Sequence, residues 1–118
     1  MASIERLAEA ALDRDALTVR SLALDLLTQY PRLADVAQPI SVDRRIQVVA
    51  AALLELLAER RREAPPDWTA RVSEMDEPFH LLESASRMPR LRAECETEAP
   101  EPLRRRKLYA PADCLTFM

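Results

Sequence analysis

The chain contains no glycine. Phosphate-cradling loops, dinucleotide fingerprints and nucleophile elbows all need a backbone that glycine adopts at least cost, so these motifs are excluded. Metal-ligating and nucleophilic side chains are scarce as well: His80, Cys95 and Cys114 are the full set of histidines and cysteines. Their spacings of fifteen and nineteen residues form no recognised zinc cluster, and no metal or other cofactor is expected. The two thiols read as ordinary cysteines of a reducing cytoplasm, with a disulfide between them possible in principle but without support. Long apolar runs are missing too. The longest is interrupted by Glu55 and is too short to span a bilayer, so no membrane partner is expected. The opening MASIERLAEAALDRD is charged within its first six residues and lacks an apolar h-region, so it is not expected to be a signal peptide. These absences together predict a soluble cytoplasmic protein.

What is present is enough for a core. Hydrophobic residues make up 48% and charged residues 31% of 118, which suits one small domain folding without disulfides or metals. The organising stretch is 41–63, SVDRRIQVVAAALLELLAERRRE. Val42, Ile46, Val49, Leu53 and Leu56 recur at three- and four-residue steps, and Val48, Ala51, Ala52 and Leu54 widen that stripe almost all round the helix. A helix apolar on most sides is packed on most sides. Its Arg60, Arg61 and Arg62 suit the negative end of the helix dipole better than a ligand. Glu55 and Glu59, four residues apart, read as a solvated edge and not as a general acid/base pair.

Two helices precede it. Ser3 is placed to cap one running to Leu12, with Ile4, Leu7, Ala8, Ala11 and Leu12 on one face. Asp13 or Asp15 caps a second, which ends near Gln29 before Tyr30-Pro31. There Leu17, Ser21, Leu24 and Thr28 share one face, and Val19, Leu22, Ala23, Leu26 and Leu27 a broader apolar one. ALTVRSLALDLL resembles the opening of a helix-turn-helix, but LTQYPRLADVAQPI follows, with two prolines and no basic recognition helix. A core-packing helix pair is the preferred reading, and a DNA-binding regulator is the alternative.

Past Pro65-Pro66 the periodicity weakens. Residues 1–64 form the expected bundle core. Residues 65–118 form an irregular, short-helix segment with a basic arm, packed with the core as one domain. Trp68 is expected over the end of the bundle. Short helices are expected near 79–86 and 89–98, the second opened by Pro89 with Leu91 and Cys95 inward. Pro100, Pro102 and Pro111 favour an extended path for the last stretch. The fold class is therefore all-α: a small bundle around a central helix, with a proline-rich C-terminal arm.

The strongest local signal lies in that arm, where Arg104, Arg105, Arg106 and Lys107 are consecutive and Leu103, Leu108, Tyr109, Leu115 and Phe117 flank them. Basic runs are commonly just solvated tails. Apolar flanking suits an arm that seats anchors in a partner's groove while its arginines pair acidic groups at the rim. The acidic segment upstream, in this chain or in a second copy forming a homodimer, is another receiver. The same charges would also suit phosphates, but a net charge of −3 favours a protein over a nucleic acid. Removing residues 100–118 is expected to leave a folded bundle that no longer binds. His80 reads as a semi-buried structural histidine, and no group orients it against either cysteine, so a small enzyme is the least favoured class.

The second half also resembles a recurrent type of small bacterial protein through PPDWTARV (65–72), EPFHLLE (77–83) and MPRLRAECETEAPEPLRRRKLYAPADCLTF (88–117), behind a helical half ending in LLELLAERR. Similar proteins accompany a second gene product in two-component modules, among them antitoxins beside nucleotidyltransferase-like toxins. The resemblance implies a non-enzymatic inhibitor of a partner protein, such as a toxin encoded next to it, and carries over no catalytic residue.

Overall fold

A computed structural model describes residues 3–115. The first helix, α1 (Ile4–Leu12), starts where Ser3 accepts a hydrogen bond from the Arg6 amide. Its Ile4, Leu7, Ala8 and Ala11 are buried, as the three- and four-residue spacing requires. A three-residue turn then reverses the chain. With no glycine to take the left-handed position, Arg14 adopts it at φ 59°. Asp15 caps α2 (Ala16–Gln29), accepting from the Thr18 amide at 3.2 Å and its hydroxyl at 2.6 Å, bonds that hold its carboxyl below the ordinary carboxylate value. Tyr30-Pro31 ends the helix, and α2 turns Ala23 and Leu26 inward while Leu17 is 83% exposed.

A 3₁₀ turn at Leu33–Asp35 leads to α3 (Arg44–Arg61), capped by Asp43 through the Arg45 amide and closed by Arg62 at φ 58°. Every residue of α3 from Val48 to Ala58 is buried, so the all-round apolar pattern does mark a helix enclosed on all sides. The helix starts later than its apolar stripe: Val42 precedes the cap and is fully exposed. α1 packs along α3 on one side. On the other sides lie a 3₁₀ turn at Asp67–Arg71 and α5 (Glu101–Arg104). Trp68 is buried at the junction, and its Nε1 donates to the Val36 carbonyl at 2.9 Å.

The second half corrects two expectations. Residues 79–86 do not open as a helix: Phe79–His80 is a short strand, β1, followed by a 3₁₀ turn at Glu83–Ser86. Pro78 carries no N–H, while the amides of Phe79 and Leu81 find the carbonyls of Lys107 and Tyr109, each at 2.9 Å. Those bonds draw in β2 (Leu108–Tyr109), parallel to β1 with Phe79 opposite Leu108 and His80 opposite Tyr109. Between the strands runs α4 (Pro89–Glu98), with Pro89 in the first turn as expected and Cys95 buried. Pro100 keeps the expected extended backbone at φ −54° and ψ 144°, but Pro102 does not: it sits in the first turn of α5, where a missing N–H breaks no helix hydrogen bond.

Among the described residues the chain is thus mostly helical, with five α-helices and one two-residue strand pairing. One core cluster joins Leu7, Leu26, Leu53 and Leu57 of the first half to Trp68, Met75, Leu103, Leu108 and Ala110 of the second. No described helix is long and apolar enough to cross a membrane.

Candidate functional site

The basic arm is sorted residue by residue into core and surface. Leu103 and Leu108 are fully buried, held by α5 and β2. Between them Arg106 is only 4% exposed and drives its guanidinium beneath the chain toward α3. There Nη1 donates to Glu55 Oε1 at 2.6 Å and Nη2 to Glu55 Oε2 at 3.0 Å, the two-pronged geometry that suits a carboxylate. The same fork donates to the Thr69 carbonyl at 2.9 Å and the Pro102 carbonyl at 3.1 Å. Its Nε is buried with no hydrogen-bond partner. Arg105 approaches Glu55 from the half-exposed side.

Glu55 is therefore not part of a solvated edge with Glu59. It is 7% exposed and lies in the middle of the buried run of α3. Burial pushes its carboxyl up, but hydrogen bonding and charge from Arg106, with help from Thr69 and Arg105, outweigh this and hold it below the ordinary 4.5. A lone carboxylate in an apolar helix would be costly, and two consecutive arginines 50 residues away make it tolerable. The sequence does carry a signal for this: Glu55 is the single charge within the apolar run 46–58.

The other described arm residues are exposed or half-buried. Arg104 is exposed and donates to the Thr97 carbonyl at 3.0 Å. Arg105 keeps 49% of its side chain in solvent and lies 3.9 Å from Glu101. Lys107 is half-exposed, takes the left-handed backbone at φ 64° and stands 3.8 Å from Glu74. Tyr109 is half-buried, its ring 5.3 Å from that of His80. Leu115 is half-buried at φ 58°, and Phe117 lies outside the described residues. Leu103, Arg106 and Leu108 thus serve as anchors within this chain and are not available as anchors for a partner. A bundle lacking residues 100–118 would open its core and leave Glu55 unpaired, against the expectation that it folds alone.

The remaining chemistry-bearing groups are dispersed. His80 is buried beneath α4, with Nε2 3.2 Å from Glu96 Oε1. Burial raises the Cys95 thiol, aided by Glu94, Glu96 and Glu98. Burial pushes Cys114 up to about 11, with the Arg60 charge acting in the opposite sense, so the thiol stays protonated near neutrality. Among the described residues no three histidine, cysteine or acidic side chains stand together as metal ligands.

One cleft, of about 260 Å³, opens between the α1–α2 turn and the C-terminal turn. Leu53, Ala110 and Val19 line it, with Leu82, Cys114 and Leu115 on the side of the arm. Arg14 and Arg20 stand on its wall. Arg60 secures the far side, donating to the Cys114 carbonyl and, at 3.1 Å, to that of Ala112. Periodicity had no means of finding this cleft, because its walls come from four separate segments. No protein family, curated protein or solved structure matches this chain.

Proposed function

We propose that this chain is a small, non-enzymatic protein-interaction module of the cytoplasm, acting as an antitoxin-type inhibitor of a partner protein. The observation that carries the reading is the sorting of the RRRK run. Arg106 is sunk onto Glu55, while Arg104 and Arg105 stay exposed on a segment that Leu103 and Leu108 hold in place. A basic ridge held on a fixed backbone loses little entropy on binding, so it suits an acidic protein surface. Tyr109 adds a half-buried aromatic edge beside it. Glu101 and Glu74 are interleaved with these cations, which breaks up the uniform positive field that a phosphate backbone would call for.

The module is tested by purifying the complex from the host and titrating the isolated partner with the variant Arg104→Glu/Lys107→Glu. Reversing two rim charges should weaken binding at least about tenfold and flatten its salt dependence, with the melting temperature little changed. Co-expression should also relieve growth inhibition by the neighbouring gene product. Equal affinity of the charge-reversed variant would refute the arm as the binding face.

A further inference from the structure

We propose that the outer face of α4 pairs two copies of this chain in antiparallel register, about a two-fold axis at Ala93. The helix is charged against its own dipole. Its first turn holds Arg90 and Arg92 and no acid, and its last turn holds Glu96 and Glu98 and no base. Cations at the positive end and anions at the negative end are both unfavourable. Other helices of the molecule follow the favourable rule, with Glu5 in the first turn of α1 and Arg60 and Arg61 in the last turn of α3. Within the chain the inversion of α4 is relieved on one edge only, where Arg92 lies 3.7 Å from Glu96 and Glu96 lies 3.2 Å from His80. Arg90 and Glu94, four residues apart on the other edge, are exposed and make no hydrogen bond or ion pair among the described residues.

The side of α4 that faces away from the body admits a second helix. Cys95 is the buried residue of α4, and the helical repeat puts Ala93 and Thr97 on the opposite side. Both are exposed, and the Thr97 hydroxyl is already engaged, donating to the Ala93 carbonyl at 2.9 Å. The charges around them change sign about Ala93, with Arg90 and Arg92 before it and Glu94 and Glu96 after it at matching distances. A two-fold axis there sets the basic half of each helix against the acidic half of the other. Arg90 of each copy then meets Glu94 of the other along the free edge, so the contact is made twice. A parallel pairing would set like charges together. Self-complementarity of this kind is what a two-fold contact between identical chains requires, and a foreign partner does not call for it. A helix of 10 residues is about 15 Å long, so the contact falls in the weak class, below about 1,200 Å² of buried surface. The dimer is therefore weak and governed by charge. It rests on α4 alone and does not depend on the reading of the basic arm.

The test is sedimentation equilibrium of the full chain by itself, from about 10 µM to about 1 mM protein. Association should appear at low salt and weaken as salt rises from about 20 mM to about 500 mM. Arg90→Glu alone and Glu94→Arg alone should each weaken it at least about tenfold, because either change sets like charges edge to edge. Both positions are exposed, so the melting temperature should change little. Mixing these two variants should restore a dimer holding one copy of each, a gain that misfolding of either cannot produce. The double variant Arg90→Glu/Glu94→Arg should restore the dimer of identical copies. The assignment is overturned if the natural chain stays monomeric to about 1 mM at low salt, or if its association is indifferent to salt. It is equally overturned if either single reversal leaves association unchanged, or if the mixed variants do not associate.

Discussion

The molecule has two runs of three consecutive arginines, 60–62 at the end of α3 and 104–106 in the arm, and their main acceptors differ. The first run collects mainly carbonyls, and Arg61 also pairs with the Glu63 carboxylate. Arg60 reaches the carbonyls of Cys114 and Ala112, and Arg61 those of Leu27, Tyr30 and Pro31, the last at 2.6 Å. Arg62 turns the helix end through a left-handed cap. In the second run Arg106 sends its charge inward to one buried carboxylate, which Arg105 reaches from the half-exposed side, while Arg104 stays exposed. A carbonyl is a neutral acceptor, so each carbonyl bond of the first run is worth little and is readily replaced by solvent. A buried carboxylate has no such replacement, so losing its partner costs the full desolvation of the charge. The two runs look alike in sequence, yet they differ in energetic weight because of the dielectric around their acceptors.

The sharpest way to break this contrast is to remove the arm's charge. Arg106→Ala should destabilise the fold by about 3 to 5 kcal/mol in urea unfolding, leaving Glu55 buried with only the half-exposed Arg105. The double variant Glu55→Leu/Arg106→Leu should recover most of that loss, because apolar side chains of similar size replace a buried ion pair at small cost. A double variant no more stable than Arg106→Ala would mean that packing, and not desolvation, dominates.

Acid should act on the same bond. Glu55 has its native pKa below the unfolded value of 4.5, so its stabilising contribution is complete above that pH. The contribution fades as the pH falls below 4.5 and is lost only once the pH passes below the native value. Urea midpoints measured from about pH 6 to about pH 3 should therefore fall for the natural chain more steeply than for the Glu55→Leu/Arg106→Leu variant. Parallel curves would remove Glu55 as the titrating group.

Smaller effects belong to the first run. Arg60→Ala should cost about 1 kcal/mol and speed hydrogen exchange at the Cys114 amide, which donates to the Pro111 carbonyl at 3.0 Å. Smallest of all, Arg62→Gly should stabilise by about 0.5 kcal/mol. It relieves a left-handed strain of roughly 1 to 2 kcal/mol and gives back part of this as unfolded-state entropy. A melting temperature that falls would show that the Arg62 side chain contributes more than its backbone strain.

How far these features were readable differs from residue to residue. The caps Ser3 and Asp15, the stop at Tyr30-Pro31, the buried run of α3 and the start of α4 at Pro89 follow from local rules, because each depends on neighbours within one or two turns. The strand at Phe79–His80 was hidden because two residues have no measurable period and their partner lies at Leu108–Tyr109. The burial of Leu103 and Leu108 was hidden for a related reason. Leu103 and Leu108 look the same in sequence whether they dock on another protein or on their own α3.

By itself, the sequence determined a small helical protein around one enclosed helix, and excluded every motif that needs glycine. It also dictated that left-handed turns fall on long side chains at Arg14, Arg62, Lys107 and Leu115, since no residue without a Cβ was available. Only the tertiary structure decided which of seven basic residues in and beside the two runs are buried, paired or exposed. Local sequence encodes how apolar a segment is. The distance from an arginine to a carboxylate fifty residues away, and the water excluded around both, exist only once the core has closed.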